Sequence, residues 1–115
     1  MREAERDPGR IQDMLEAAEY IISFVDGLTY EQFLADKIRY FAVMKNVEII
    51  GEAANMLTEP FRSSHSEIPW KQVIKMRHVL VHGYSNILPE ILWETATQDV
   101  PQLKALLLKI DCFTH

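Results

Sequence analysis

Cys112 is the one cysteine in the chain, so no disulfide can form within it and the reading is of a protein kept in a reducing cytosol. Long apolar runs are missing too: none approaches the roughly 20 residues that a membrane span needs. The opening stretch Met1-Arg2-Glu3-Ala4-Glu5-Arg6-Asp7 is too charged to serve as a signal-peptide core, and residues 1–7 are expected to be flexible. A cytoplasmic protein with no membrane partner is the expectation. Basic charge is also in short supply, with a net charge of −5. Proteins that live by non-specific phosphate contacts draw most of their affinity from counterion release at a basic surface. Any nucleic-acid substrate must therefore be held by a local cluster or by a basic partner. Finally, the chain shows no period-2 alternation, no internal repeat and no low-complexity tract, which removes sheet and solenoid architectures from consideration.

What is present is ordinary globular material. The 115 residues suit one domain spanning 1–115, and 48% apolar with 25% charged residues is a normal balance. A domain this small buries only about two-thirds of its unfolded surface, and a helical bundle of this size often hides a leftover apolar face by dimerising.

The periodicity predicts an all-α fold, an up-and-down bundle of four to five main helices. Asp7 is expected to cap the first helix with Pro8 at its first position, followed by Ile11, Met14, Leu15, Ala18, Ile21, Ile22 and Val25 at helical spacing. Asp26-Gly27 stops it. Thr29 and Gln32 have the spacing of a capping box for a short second helix. Asp36 begins a long third helix that ends near Thr58-Glu59-Pro60, with Ala42, Val43, Ile49, Ile50, Ala53 and Leu57 on one face. Phe61 to Ile68 reads as a loop with at most one helical turn. A fourth helix runs from Trp70 to about His82, with Gly83 as terminator. A fifth starts at Asn86-Ile87-Leu88-Pro89 and gives Ile91, Leu92, Trp93 and Ala96 to the core. Pro101 either kinks it or opens a last helix through Leu103, Leu106, Leu107 and Ile110.

Chemistry, if present, is concentrated in Arg77-His78-Val79-Leu80-Val81-His82-Gly83-Tyr84. On a continuous helix His82 sits about 140° around from Arg77. The two converge only if the helix loosens near Gly83 or a second copy supplies one of them. These residue types suit phosphodiester chemistry. A histidine titrating near neutral pH can take a proton from a ribose 2′-OH or give one to the leaving oxygen. Arginine grips a phosphate through two parallel hydrogen bonds, and tyrosine can donate to a phosphate oxygen or stack on a base.

Plainer roles compete for the same residues. Arg77 can pair with a helix carboxylate such as Glu48 or Glu52, His82 can serve the end of its helix, and Tyr84 can be core with a satisfied hydroxyl. His78 and His82 have the spacing of a two-imidazole metal site, but Val79 stands where an H-E-x-x-H enzyme needs glutamate and no third ligand is evident. No metal and no cofactor are expected. Asn46, on the apolar face of the third helix, needs a partner and is either a core hydrogen bond or outer support for the site, a role for which His78 is also a candidate.

The segment Arg77 to Tyr84 resembles the R-x4-H-x-Y motif of the HepT-like branch of the HEPN superfamily. The likeness extends to Ile49-Ile50-Gly51-Glu52-Ala53-Ala54, Ile68-Pro69-Trp70, Met76-Arg77, Leu80-Val81-His82-Gly83-Tyr84 and Ile91-Leu92-Trp93, in that family's order and spacing, over roughly Gln12 to Lys109. The resemblance implies a HEPN-like homodimer with the motif helices near the two-fold axis. It also implies a metal-independent endoribonuclease that cuts RNA as the toxin of a toxin–antitoxin pair. By matching position, Arg77 and His82 become the catalytic pair. Tyr84 becomes the residue to which a minimal nucleotidyltransferase antitoxin transfers AMP. One departure stands out: the residue after the motif arginine is usually small and polar, most often asparagine, and here it is His78. The alternative is a HEPN dimer without activity that binds a nucleotide or a nucleotidyltransferase.

Overall fold

The computed structural model describes residues 3–82 and 89–110, without the side chains of residues 3, 4 and 78–82. A 3-10 turn (Glu3–Arg6) leads into α1 (Asp7–Val25), followed by α2 (Tyr30–Ala35), α3 (Lys37–Met56), α4 (Glu59–Ser64), α5 (Trp70–His82), α6 (Pro89–Glu94) and α7 (Val100–Leu107). The fold is all-α, as the periodicity predicts. Among the described residues no helix is long and apolar enough to cross a membrane.

The apolar stripe of α1 is the one expected, with Ile11, Met14, Leu15, Ala18, Ile21 and Val25 buried. It packs on α3, whose own buried face is Val43, Val47, Ile50, Gly51, Ala53 and Ala54. The other side of α3 receives α5, and α7 closes over α1. The third helix is therefore the axle of the bundle. Gly51, Ala53 and Ala54 are buried in its second half, where small side chains let neighbouring helices approach.

Local signals fix most helix ends. The Thr29 hydroxyl accepts from the Gln32 backbone N–H at 3.1 Å, and the Thr29 N–H donates to the Gln32 side chain at 2.9 Å, completing the capping box. Asp36 starts α3 as expected. Its carboxylate accepts the Arg39 backbone N–H at 3.1 Å and the Arg39 guanidinium at 2.6 Å, which together hold it below the ordinary carboxylate range. Gly27, at φ 76°, makes the turn after α1 in the left-handed region that suits glycine.

Three expectations need correction. Asp7 is not the cap of α1; the cap position is Arg6. The Asp7 side chain, only 4% exposed, instead accepts the Thr58 backbone N–H at 3.0 Å and its hydroxyl at 2.6 Å. It ties the start of α1 to the α3–α4 junction. Second, α3 ends at Met56, and Glu59–Ser64 is a helix in its own right with Thr58 as its cap. The Trp70 indole N–H, shared between the Arg62 and His65 carbonyls at 3.1 and 3.0 Å, locks that helix to the start of α5. Third, Ile91 is 49% exposed rather than core. Of the two roles expected for Pro101, it takes the second: it sits in the first turn of a last helix, α7, after a π-helical turn over Thr95–Asp99.

Candidate functional site

Arg77 lies on α5 where that helix crosses α3 most closely. The cause is Gly51. A Cβ built there would overlap the Cβ of Arg77 and lie 2.7 Å from its backbone N and 2.9 Å from its Cα. Glycine is thus the residue that lets the two backbones meet, and the meeting point is the base of the arginine side chain. The Arg77 stem is wedged by packing, and its side chain keeps 25% exposure.

The guanidinium is partly spent. Nη1 donates to Glu52 Oε2 at 2.8 Å, across from α3, and Glu52 is 53% exposed. Nε is buried and has no hydrogen-bond partner. The carboxylate partner anticipated for Arg77 therefore exists, and of the two candidates it is Glu52. Glu48 instead sits beside Lys45 at 3.8 Å. A buried N–H left without an acceptor costs free energy.

His78 and His82 belong by backbone to α5, which holds helical form through His82. That register keeps positions 77 and 82 about 140° apart around the axis. Tyr84 lies outside the described residues. Asn46 does not face outward for a partner. Its Nδ2 donates to the Ala42 carbonyl of its own helix at 2.8 Å, a bond that satisfies the amide locally. Among the described residues no group of three or more His, Cys, Asp or Glu is placed to hold a metal ion.

Two hollows flank this region. One, of about 190 Å³, lies between α1 and α3 and is lined by Arg10, Asp13, Lys45, Glu48 and Glu52 among others. The other, of about 360 Å³, lies between α5 and α7; Val73, Met76, Leu103 and Leu106 provide its apolar lining, with Gln72, Gln102 and Asp99 beside them. Sequence reasoning did not anticipate the second hollow. Its only local hint is the polar Gln72 and Gln102 next to apolar stripes. On the far side, α6 is anchored by aromatic packing of Trp93 on Phe33, with centroids 5.1 Å apart, and of Phe33 on Tyr40 at 5.2 Å.

Comparison with known proteins gives one consistent answer. Residues 14–110 match a family model described as "Ribonuclease HepT-like". A Thermococcus cleftensis protein named "Probable ribonuclease HepT" is 39% identical over 100 residues, covering 87% of this chain and 91% of that one. A protein of Caldanaerobacter subterraneus subsp. tengcongensis named "Putative RNase" is 36% identical over 94 residues, covering 82% and 84%. A Methanocaldococcus jannaschii protein named "Gamma-glutamylcyclotransferase and putative RNase" is 35% identical over 100 residues, which are 87% of this chain and 45% of that longer protein. No solved structure matches the chain.

Proposed function

The chain belongs to the ribonuclease HepT-like family, and from that premise we propose that it is an RNA-cleaving toxin that works in the cytoplasm as a homodimer. The observation that carries the proposal is the position of Arg77. It opens an R-x4-H-x-Y run, it is wedged at the Gly51 crossing, and its guanidinium stays partly open to solvent. The divergence of positions 77 and 82 on a continuous α5 supports pairing of two copies. One subunit's Arg77 and the other's His82 then serve a common phosphate.

The reaction is an internal transfer. The ribose 2′-OH attacks the adjacent phosphorus as its proton passes to a neutral His82 imidazole. A protonated His82 of the second copy gives a proton to the departing 5′-oxygen. Arg77 stabilises the added negative charge on the phosphoryl oxygens. The bond from phosphorus to the 5′-oxygen breaks, leaving a 2′,3′-cyclic phosphate and a 5′-hydroxyl, and the step draws on no metal.

Silencing is proposed to run through Tyr84. A nucleotidyltransferase antitoxin would place AMP from ATP on the phenol oxygen, releasing pyrophosphate. The product adds bulk and negative charge to the motif.

Purified protein in EDTA should cut RNA to products with cyclic-phosphate ends, and His82→Ala should not. Equal cutting by both proteins would remove His82 from the chemistry. With the transferase and ATP, intact mass should rise by one or more AMP units, and Tyr84→Phe should stay unmodified.

The engagement of Arg77 by Glu52, together with the net charge of −5, favours a second reading. In it the protein is a HEPN dimer that binds a nucleotide or a nucleotidyltransferase without cleaving RNA. RNA left intact at micromolar protein, with tight transferase binding retained, would select it.

A further inference from the structure

Two neighbours act on different parts of Arg77. Gly51 fixes the stem, because the backbones meet there without a side chain between them. Glu52, the next residue, occupies the tip. A guanidinium offers a phosphate two forks, one made by Nε and Nη2 and the other by Nη1 and Nη2. The first is closed because Nε is buried. The second is contested at Nη1, which already donates to Glu52 Oε2 at 2.8 Å. A phosphate that takes Arg77 by this fork therefore meets the Glu52 carboxylate at Nη1.

We infer that Glu52 stands in for the substrate phosphate, holding Nη1 of Arg77 in the free protein and leaving it when RNA binds. The inference rests on Arg77 being the phosphate ligand, as proposed above. The exchange is physically easy. Glu52 is more than half exposed, so its carboxylate can return to water without a burial cost. It also borders the hollow between α1 and α3, which Arg10 and Lys45 line as well. The stem of Arg77 does not depend on Glu52, since Gly51 packing holds it. Release therefore frees the tip without misplacing the arginine. A pair this exposed competes weakly, by about two- to fivefold in an equilibrium constant.

The test uses an RNA oligonucleotide whose 2′-hydroxyls are methylated, so that it binds and cannot be cut. Glu52→Gln removes the competing charge at nearly constant shape and should tighten binding about two- to fivefold. In cleavage of ordinary RNA the KM should fall by the same factor with kcat unchanged. Glu52→Asp, which keeps the carboxylate, should stay near the parent value, and Arg77→Ala should lose binding. If Glu52 instead positions the arginine, Glu52→Gln will weaken binding or lower kcat, and the inference is overturned. Unchanged binding overturns it as well. Tighter binding without any cleavage by the parent protein would keep the exchange and reject the nuclease, so the two failures are told apart. Arg77→Ala binding as well as the parent would remove the premise and the inference together.

Discussion

The two flanks of α5 are built on opposite plans. Toward α3 the backbones meet at Gly51 and Arg77 with no room for a methyl group. Toward α7 the helices stand apart around a cleft of about 360 Å³ over buried Val73 and Leu103. At Arg77 the helix that carries the motif is thus registered from the α3 side. The difference teaches where function is sensitive. A change on the tight flank must move Arg77, whereas a change on the open flank can be absorbed by space already there.

The largest effect should come from breaking the tight flank. Gly51→Val drives a Cβ against the Cβ, N and Cα of Arg77, and backbone cannot yield as the end of a flexible side chain can. Overpacking of this kind costs about 3 kcal/mol or more, offset only slightly by valine's better helix propensity than glycine's, worth a few tenths of a kcal/mol. The expected result is a large drop in the urea midpoint. Any cleavage per folded molecule should fall by about a hundredfold, since a shift of about 1 Å at a reacting group has that scale of effect. A folded Gly51→Val protein with normal stability would show that the crossing is not tight in solution.

Leu103→Ala should sharpen the contrast from the other side. Leu103 is 3% exposed and lines the cleft, so truncation enlarges a space that already opens to water. The loss should sit at the low end for a buried leucine, about 2 kcal/mol, read from chemical denaturation. Activity per folded molecule should stay within about twofold, since the change is absorbed away from the Gly51 crossing. A loss of cleavage matching that of Gly51→Val would mean that both flanks register α5, and the comparison would fail.

How much of this was legible beforehand depended on the range of the interaction. The Thr29–Gln32 box, the Asp36 start of α3 and the span of α5 were readable because their partners lie within four residues. Asp7 was misread because its carboxylate answers to Thr58, 51 positions away. Periodicity gave no reason for Gly51, because the reason is Arg77 on another helix. Pairing of Arg77 with an α3 carboxylate was foreseeable, yet choosing Glu52 over Glu48 needed the crossing geometry. Ile91 looked like core because apolar identity says nothing of which side of a short helix is covered. Pro101 marked a break in the helix, but gave no sign that the break takes the form of a π-helical turn at Thr95–Asp99. Tyr84, the third motif residue, lies outside the described residues.

The smallest effect belongs to Asp99, at the end of that π-helical turn and on the lining of the cleft. Its carboxyl is pushed above the ordinary 3.8, first by partial burial and then by the charge of Glu94. A carboxyl that is harder to ionise when folded than when unfolded lowers stability wherever it is charged in both states. That penalty is in full force at neutral pH, shrinks as pH falls through the raised folded value, and vanishes below the unfolded one. Asp99→Asn lacks the charge at every pH. It should therefore be more stable than the parent at pH 7 by a few tenths of a kcal/mol, since the group is largely solvated. The gap in melting temperature should close as the pH approaches 3.8. A gap that widens on acidification would mean that the Asp99 carboxylate is stabilised in the folded protein, and that the open flank of α5 holds a cationic partner for it.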